Sequence, residues 1–189
     1  MTMENRKNRF SRNRILWITE TAIMLAMLVA VQGFTAGLGN QFITGSCVNL
    51  ILAITTLVVG LWGGVVVAGV SPFFAFLLGI GPKFIQLVPA IAVGNLIYVL
   101  ILYSMTSKST AIPSKLISLL AAAAAKFLVL LLLITKWLVP SLVANGVIPA
   151  KASATLIATF SWPQLVTALI GGILALAILP ALKKALRKQ

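Results

Sequence analysis

Lys126 is the side chain in this sequence best placed to do chemistry. It interrupts an apolar run, with five alanines at 121–125 before it and Phe127-Leu128-Val129-Leu130-Leu131-Leu132-Leu133 after it. Eleven residues separate it from Lys115, and that distance, about 16 Å of helix, puts its Cα near the middle of a bilayer if the run is a span. An ammonium at that depth costs at least ~2.5–3.5 kcal/mol unless it meets water, a counterion or a ligand. The chain has only two acids, Glu4 in the N-terminal segment and Glu20 near the start of the first apolar run, roughly half a membrane away. The amine either snorkels or rests on backbone carbonyls, or it faces an internal cavity and holds an anionic or acceptor-rich ligand. The lack of an internal counterion favours the cavity.

Two other polar residues count to the same depth. Asn95 stands eleven residues after Phe84, and Gln164 twelve after Ala152, both measured inward from the outer side. Polar side chains from three spans sharing one layer are what a polar pocket in a bundle requires, although each alone could equally be a helix-to-helix hydrogen bond. Trp162 precedes Pro163 just above this layer, where it could stack on a ligand or sit in the interfacial aromatic belt, and Tyr98 is the other aromatic near the layer. Asn40 and Gln41 open a stretch at 40–46, and Lys83 closes one at 79–83; both stretches are expected to be outer loops able to fold over the pocket.

Covalent chemistry has no candidate. The chain has no His, no Asp, no paired carboxylates, no cysteine cluster and no phosphate-binding glycine loop, so no catalytic residue, metal site or cofactor is expected. Cys47 is the single cysteine, which excludes an internal disulfide and suits a small residue packed between helices.

These residues must be positioned by membrane helices. Hydrophobic residues make up 60% of the 189 and charged residues 9%, against about 45–50% and about 25% in soluble domains. Mean hydropathy is +1.10. The expected class is an all-α membrane protein with six transmembrane helices, at about 17–37, 46–59, 64–79, 84–105, 113–137 and 152–179. Breaks are expected at 33–41, at 60–64, at 79–83, at 106–110 and at 140–151, with Pro72 kinking the third span and Pro180 ending the sixth. The domain division is a basic N-terminal segment 1–14, a six-helix domain 15–182 and a basic tail 183–189. The first apolar run lacks a convincing cleavage site and reads as a retained span.

Orientation follows from the cations. Eleven of the fifteen Lys and Arg fall before the first span, in the 106–115 connection or after the last span, three (Lys83, Lys136, Lys151) fall on the other side, and Lys126 lies within a span. Both termini are therefore cytoplasmic. The cations cap apolar runs and form no basic stripe, so nucleic acid is not the expected partner, while lipid is. Ala22, Ala26 and Ala30 make a small-residue ridge on the first span, suited to close approach of a helix from this chain or another.

The chain resembles the substrate-binding S components of energy-coupling factor (ECF) vitamin transporters. The resemblance rests on its size and six spans, on the ridge Ala22, Ala26, Ala30, on Gly45-Ser46-Cys47-Val48-Asn49, on Ser71-Pro72-Phe73 through Gly81-Pro82, on Gly94-Asn95 and on Ala125-Lys126-Phe127-Leu128. It implies a bacterial multi-pass membrane subunit, not an enzyme, with an outward-opening pocket lidded by the loop after the first span. It also implies a transmembrane coupling subunit docked on the alanine ridge, two cytosolic ATPases, and a toppling motion that releases the vitamin inside. Lys126 favours a carboxylate-bearing vitamin, and pantothenate suits Asn95, Gln164, Asn40 and Gln41 best. The alternatives are an S component for hydroxymethylpyrimidine or pyridoxine, folate or riboflavin, a stand-alone secondary transporter, and a ligand-free membrane scaffold.

Overall fold

The computed structural model describes residues 3–107 and 111–186, and side-chain surroundings for 14–107 and 111–185. Lys108, Arg187 and Lys188, used above to orient the chain, lie outside the described residues. Among those described, every regular element is helical.

Helix α1 (Met3–Ala36) runs through the basic segment without a break, so the expected start at residue 17 is corrected; the helix is about 51 Å long. Its apolar part, Arg14–Ala36, is long enough to span a bilayer. The glycine-rich stretch expected as a loop from 33 to 41 shrinks to 37–40. Asn40 caps the next helix, its side chain accepting a 2.9 Å hydrogen bond from the Phe42 amide. That cap lets helix α2 (Gln41–Val58) begin directly, so residues 41–46 are helix and not a lid loop.

The second break narrows in the same way. Gly60, at φ 102°, turns the chain alone, and Gly63 and Gly64 already belong to α3 (Leu61–Leu77). Helix α3 carries Pro72 inside it. A single 3₁₀ turn, Ile85–Leu87, then leads into α4 (Val88–Thr106), where Pro89 occupies the first turn and leaves no intrahelical bond unmade. Helix α5 (Ile112–Leu130) likewise opens on a proline, Pro113. It continues as a π-helical segment, Leu131–Leu138, and then as α6 (Val139–Ala144), so the expected loop from 140 starts only at 145.

The sixth span departs most from expectation. Helix α7 (Ala150–Thr159) buries none of its residues and ends at Phe160-Ser161; α8 (Trp162–Leu186) then begins as a separate helix, with Pro163 in its first turn. Proline restricts the residue before it and has no amide to donate, which suits a new helix start and not the interior of an old one. Pro180, expected to end the span, lies inside α8.

Five helical stretches are long and apolar enough to cross a membrane, and Leu61–Leu77 is a shorter apolar helix, which gives the six spans. Helix α2 is central: it packs most extensively on α8 and also touches α1, α3 and α4. Its approach to α8 is at backbone distance. A Cβ added at Gly171 would stand 2.5 Å from the Ser46 carbonyl oxygen and 2.6 Å from the Leu50 nitrogen. Two apolar clusters hold the bundle. The larger includes Leu28, Leu52, Val67, Val99, Leu119 and Ala168; the smaller joins Leu87, Ala90, Leu130, Ile134, Val139 and Phe160. Lys126 lies in sequence between the α5 members of the two, Ala123 and Leu130.

Candidate functional site

Between these clusters is a cavity of about 270 Å³. One stripe of α2 forms a wall of it, Gln41, Thr44, Gly45, Val48 and Asn49, at the spacing that places residues on a single helix face. Ser71, Pro72 and Ala75 of α3, with Ile80, Gly81 and Pro82 beyond it, make a second wall. Ile91 and Asn95 of α4 and Lys126 of α5 close the far side, while Gln32 of α1, Leu156, Thr159, Phe160 and Gln164 complete it. Every contributing helix does so near the end where α1 stops and α2 starts. With an even number of spans that end is opposite both termini, so the cavity belongs to the outer half of the bundle.

Lys126 is 3% exposed and its amine is held by neutral groups. Nζ donates to Asn49 Oδ1 at 2.6 Å and to Asn95 Oδ1 at 2.7 Å. It also lies 5.6 Å from the centroid of the Tyr98 ring, a cation–π distance. No carboxylate is among these partners. The two asparagines, 1% and 2% exposed, therefore take the place of a counterion by presenting the negative ends of their amide dipoles.

The acceptors are themselves held. Asn49 Nδ2 donates to the Gly45 carbonyl at 2.8 Å and contacts Thr167 Oγ1 at 3.4 Å, and Thr167 donates to the Gln164 carbonyl at 3.3 Å. Gln164 Nε2 donates to the Thr159 carbonyl at 3.1 Å, which ties α8 to the end of α7. Tyr98, fully buried, donates its hydroxyl to the Ala168 carbonyl at 3.4 Å. A chain of polar contacts thus runs from Lys126 through α2 to α8 and α7. It leaves one proton of the lysine amine, the Asn95 side-chain nitrogen and the Gln164 side-chain oxygen without a protein partner among the described residues, on residues that line the cavity.

Of the residues singled out in the sequence, Lys126, Asn95, Gln164 and Gln41 line the cavity. Lys126 and Asn95 do share a level, and they are hydrogen-bonded. Gln164 does not share it, because the break at Phe160-Ser161 puts Gln164 in the first turn of α8 and so near the outer end of its helix. The third member of the layer is Asn49. Tyr98 lies under the amine and outside the lining, and Trp162 is 60% exposed, its ring tilted against Phe42 with centroids 5.4 Å apart. Asn40 is exposed and engaged in its cap, and Lys83 is exposed next to Pro82; neither lines the cavity.

Asn49, Gln32, Thr44 and Ser71 also line it, although the sequence reading placed none of them among the ligand contacts. The signal that could have found Asn49 is the polar stripe it completes with Gln41 and Thr44, which is visible only once α2 is known to begin at Gln41. Ala22, Ala26 and Ala30 are all turned away from the bundle, so within this chain the ridge has no helix packed on it. A family model described as ECF transporter, substrate-specific component, matches residues 18–182, while comparison with curated proteins and with solved structures gave no match.

Proposed function

The chain belongs to the ECF transporter substrate-specific components, and on that premise we propose that it captures a small carboxylate vitamin, pantothenate before others, from the outer side of a bacterial membrane. A protein of this family is a transport subunit that takes a small-molecule substrate and works with coupling and ATPase subunits. The observation that carries the finer reading is the Lys126 amine bordering a cavity with neutral partners only. A carboxylate arriving there meets a cation whose attraction no protein acid cancels, in surroundings where charge-assisted hydrogen bonds are strong.

Size supports the same reading. At about 270 Å³ the cavity falls just below the usual span of small-molecule sites, which run from ~300 to ~1,000 Å³. That suits a compact vitamin better than folate or riboflavin. The lining also lacks a flat aromatic pair, with Phe160 its one aromatic ring. Lys126, Asn95, Gln164 and Gln41 are the proposed ligand contacts, with Tyr98 supporting the amine from below and Trp162 at the rim. Asn40 and Lys83 have no part in this reading. The ridge Ala22, Ala26 and Ala30 is proposed to dock the transmembrane coupling subunit, which would itself bind two cytosolic ATPases.

The test is native mass spectrometry of the purified chain after incubation with an equimolar mixture of water-soluble vitamins. Retention of pantothenate by the natural chain, and its loss in a folded Lys126→Met variant, is the expected result. A chain that retains nothing, or a variant that retains pantothenate as well as the parent does, refutes it. A ligand-free scaffold would retain nothing, and Lys126→Met would leave it unchanged or slightly more stable.

A further inference from the structure

The polar groups of the cavity are not evenly spread, and their arrangement along the helix axes carries an inference that rests on the capture reading above. At the inner end stands the Lys126 amine with Asn49 and Asn95. Asn49 follows Gln41 by eight residues on the same face of α2, about 12 Å along the axis, so the cavity is a slot of about that depth. At the outer end stand three glutamines from three helices. Gln32 is one turn from the end of α1, Gln41 is the first residue of α2, and Gln164 is in the first turn of α8. Between the two ends the slot is walled by Val48, Pro72, Ile91 and Phe160, with Thr44 of α2 and Ser71 of α3 beside them.

The two ends differ in what they can recognise. The lysine amine, with one proton free, and the Asn95 amide nitrogen are donors, so the inner end takes an acceptor and prefers an anion. Each glutamine both donates and accepts. Gln164 is 6% exposed and its amide nitrogen is committed to Thr159, so it turns a free acceptor oxygen to the cavity. The outer end therefore suits a group that also donates, a hydroxyl or an N–H.

We propose that the slot takes its ligand end-on: an extended molecule enters carboxylate first to meet Lys126 and Asn95, lays its middle along walls that mix apolar side chains with Thr44 and Ser71, and leaves a hydroxyl-bearing end to be read by Gln32, Gln41 and Gln164. The three glutamines are thus specificity-determining residues, and the lysine supplies affinity to any carboxylate short enough to reach it. A reversed ligand would put its carboxylate against the Gln164 oxygen and its hydroxyl against an amine that has no acid beside it, losing at both ends.

The test uses detergent-purified chain, isothermal titration calorimetry, and three probes that differ at one end each. Pantothenate has both ends; pantothenol carries an alcohol in place of the carboxylate; N-acetyl-β-alanine keeps the carboxylate and amide but lacks the hydroxyl-bearing part. Pantothenol should bind about a hundredfold more weakly than pantothenate, the factor expected when a hydrogen bond to a charged group is lost. Gln32→Leu and Gln41→Leu, at partly exposed positions that tolerate substitution, should each weaken pantothenate about tenfold, the loss of one neutral hydrogen bond, and leave N-acetyl-β-alanine unchanged. Equal binding of pantothenol and pantothenate overturns the end-on assignment while capture stands. So does an equal effect of the glutamine substitutions on both carboxylates, or retention of a ring vitamin such as pyridoxine in place of all three probes. A chain that binds none of the three and retains nothing from a vitamin mixture refutes the capture reading itself.

Discussion

At the scale of single residues, the amine of Lys126 depends on two amide oxygens, and the asparagines are not interchangeable with apolar side chains of similar size. Asn49→Leu leaves Nζ with Asn95 alone and deletes the bond to the Gly45 carbonyl. Because an unmet buried polar group costs about 1–3 kcal/mol, and more when charged, the variant should unfold at a clearly lower temperature than the parent in a detergent thermal-shift assay. Added ligand should restore part of the loss if it contacts the same amine. Lys126 and Asn95 were legible in the sequence because the count to Lys126 stays within α5, and the count to Asn95 crosses only the short 3₁₀ turn Ile85–Leu87 before it enters α4. Gln164 was placed too deep for the opposite reason. Its count ran across Phe160-Ser161, where the chain leaves one helix and starts another. Asn49 entered only as the end of a family motif and not as a site residue, because Gln41 and Thr44, the rest of its stripe, read as loop, and a loop has no face on which a stripe could be recognised.

At the scale of elements, the contact between α2 and α8 is set by a missing side chain. Gly171→Ala would push a methyl group against the Ser46 carbonyl and the Leu50 nitrogen, and backbone atoms cannot rotate aside. The helices must separate, at a cost of about 1–3 kcal/mol or more, and the separation would move Asn49 away from Lys126. Gly69→Ala is the control, because a Cβ there meets nothing within 4 Å. Thermal unfolding of the pair should show a marked drop for Gly171→Ala and no drop for Gly69→Ala. The spans themselves were readable from hydropathy, and so was the proline at the start of α5. What sequence reasoning missed was capping. Asn40 starts α2 by holding the Phe42 amide, and this shortened a nine-residue glycine-rich stretch to a four-residue turn. Pro163, which falls inside the expected span 152–179, occupies the first turn of α8, where its missing amide does no harm.

At the scale of the molecule, six spans put the cavity at one end and the termini at the other, and the alanine ridge runs along a helix of which only 11% of the spanning window is buried. Binding and docking are therefore separable. Ala26→Trp should leave vitamin binding by the isolated chain within about twofold, since the residue faces away from the bundle and from the cavity. In cells that supply the coupling and ATPase subunits, the same variant should abolish uptake, because a bulky ring on a small-residue ridge holds the partner helix off. Uptake at the parental rate would remove the ridge from the proposed interface. Charge bias across the connections supports the expected orientation, whereas the ridge's partner could not be read from the sequence. Small residues look the same whether they meet a helix of their own chain or of another, and only the packing of α1 decides.

Helix α7 has no buried residue of its own; it packs on α6 and α8 and is held at its end by Phe160 and by the Gln164 to Thr159 bond. Swinging it outward would uncover little core and break few contacts, so its backbone amides should exchange with deuterium far sooner than those of α2 or α4. A molecule seated beneath Leu156 and Thr159 would slow that exchange locally. The rate at this one helix is therefore a gauge of occupancy that needs no label on the vitamin and no partner subunit.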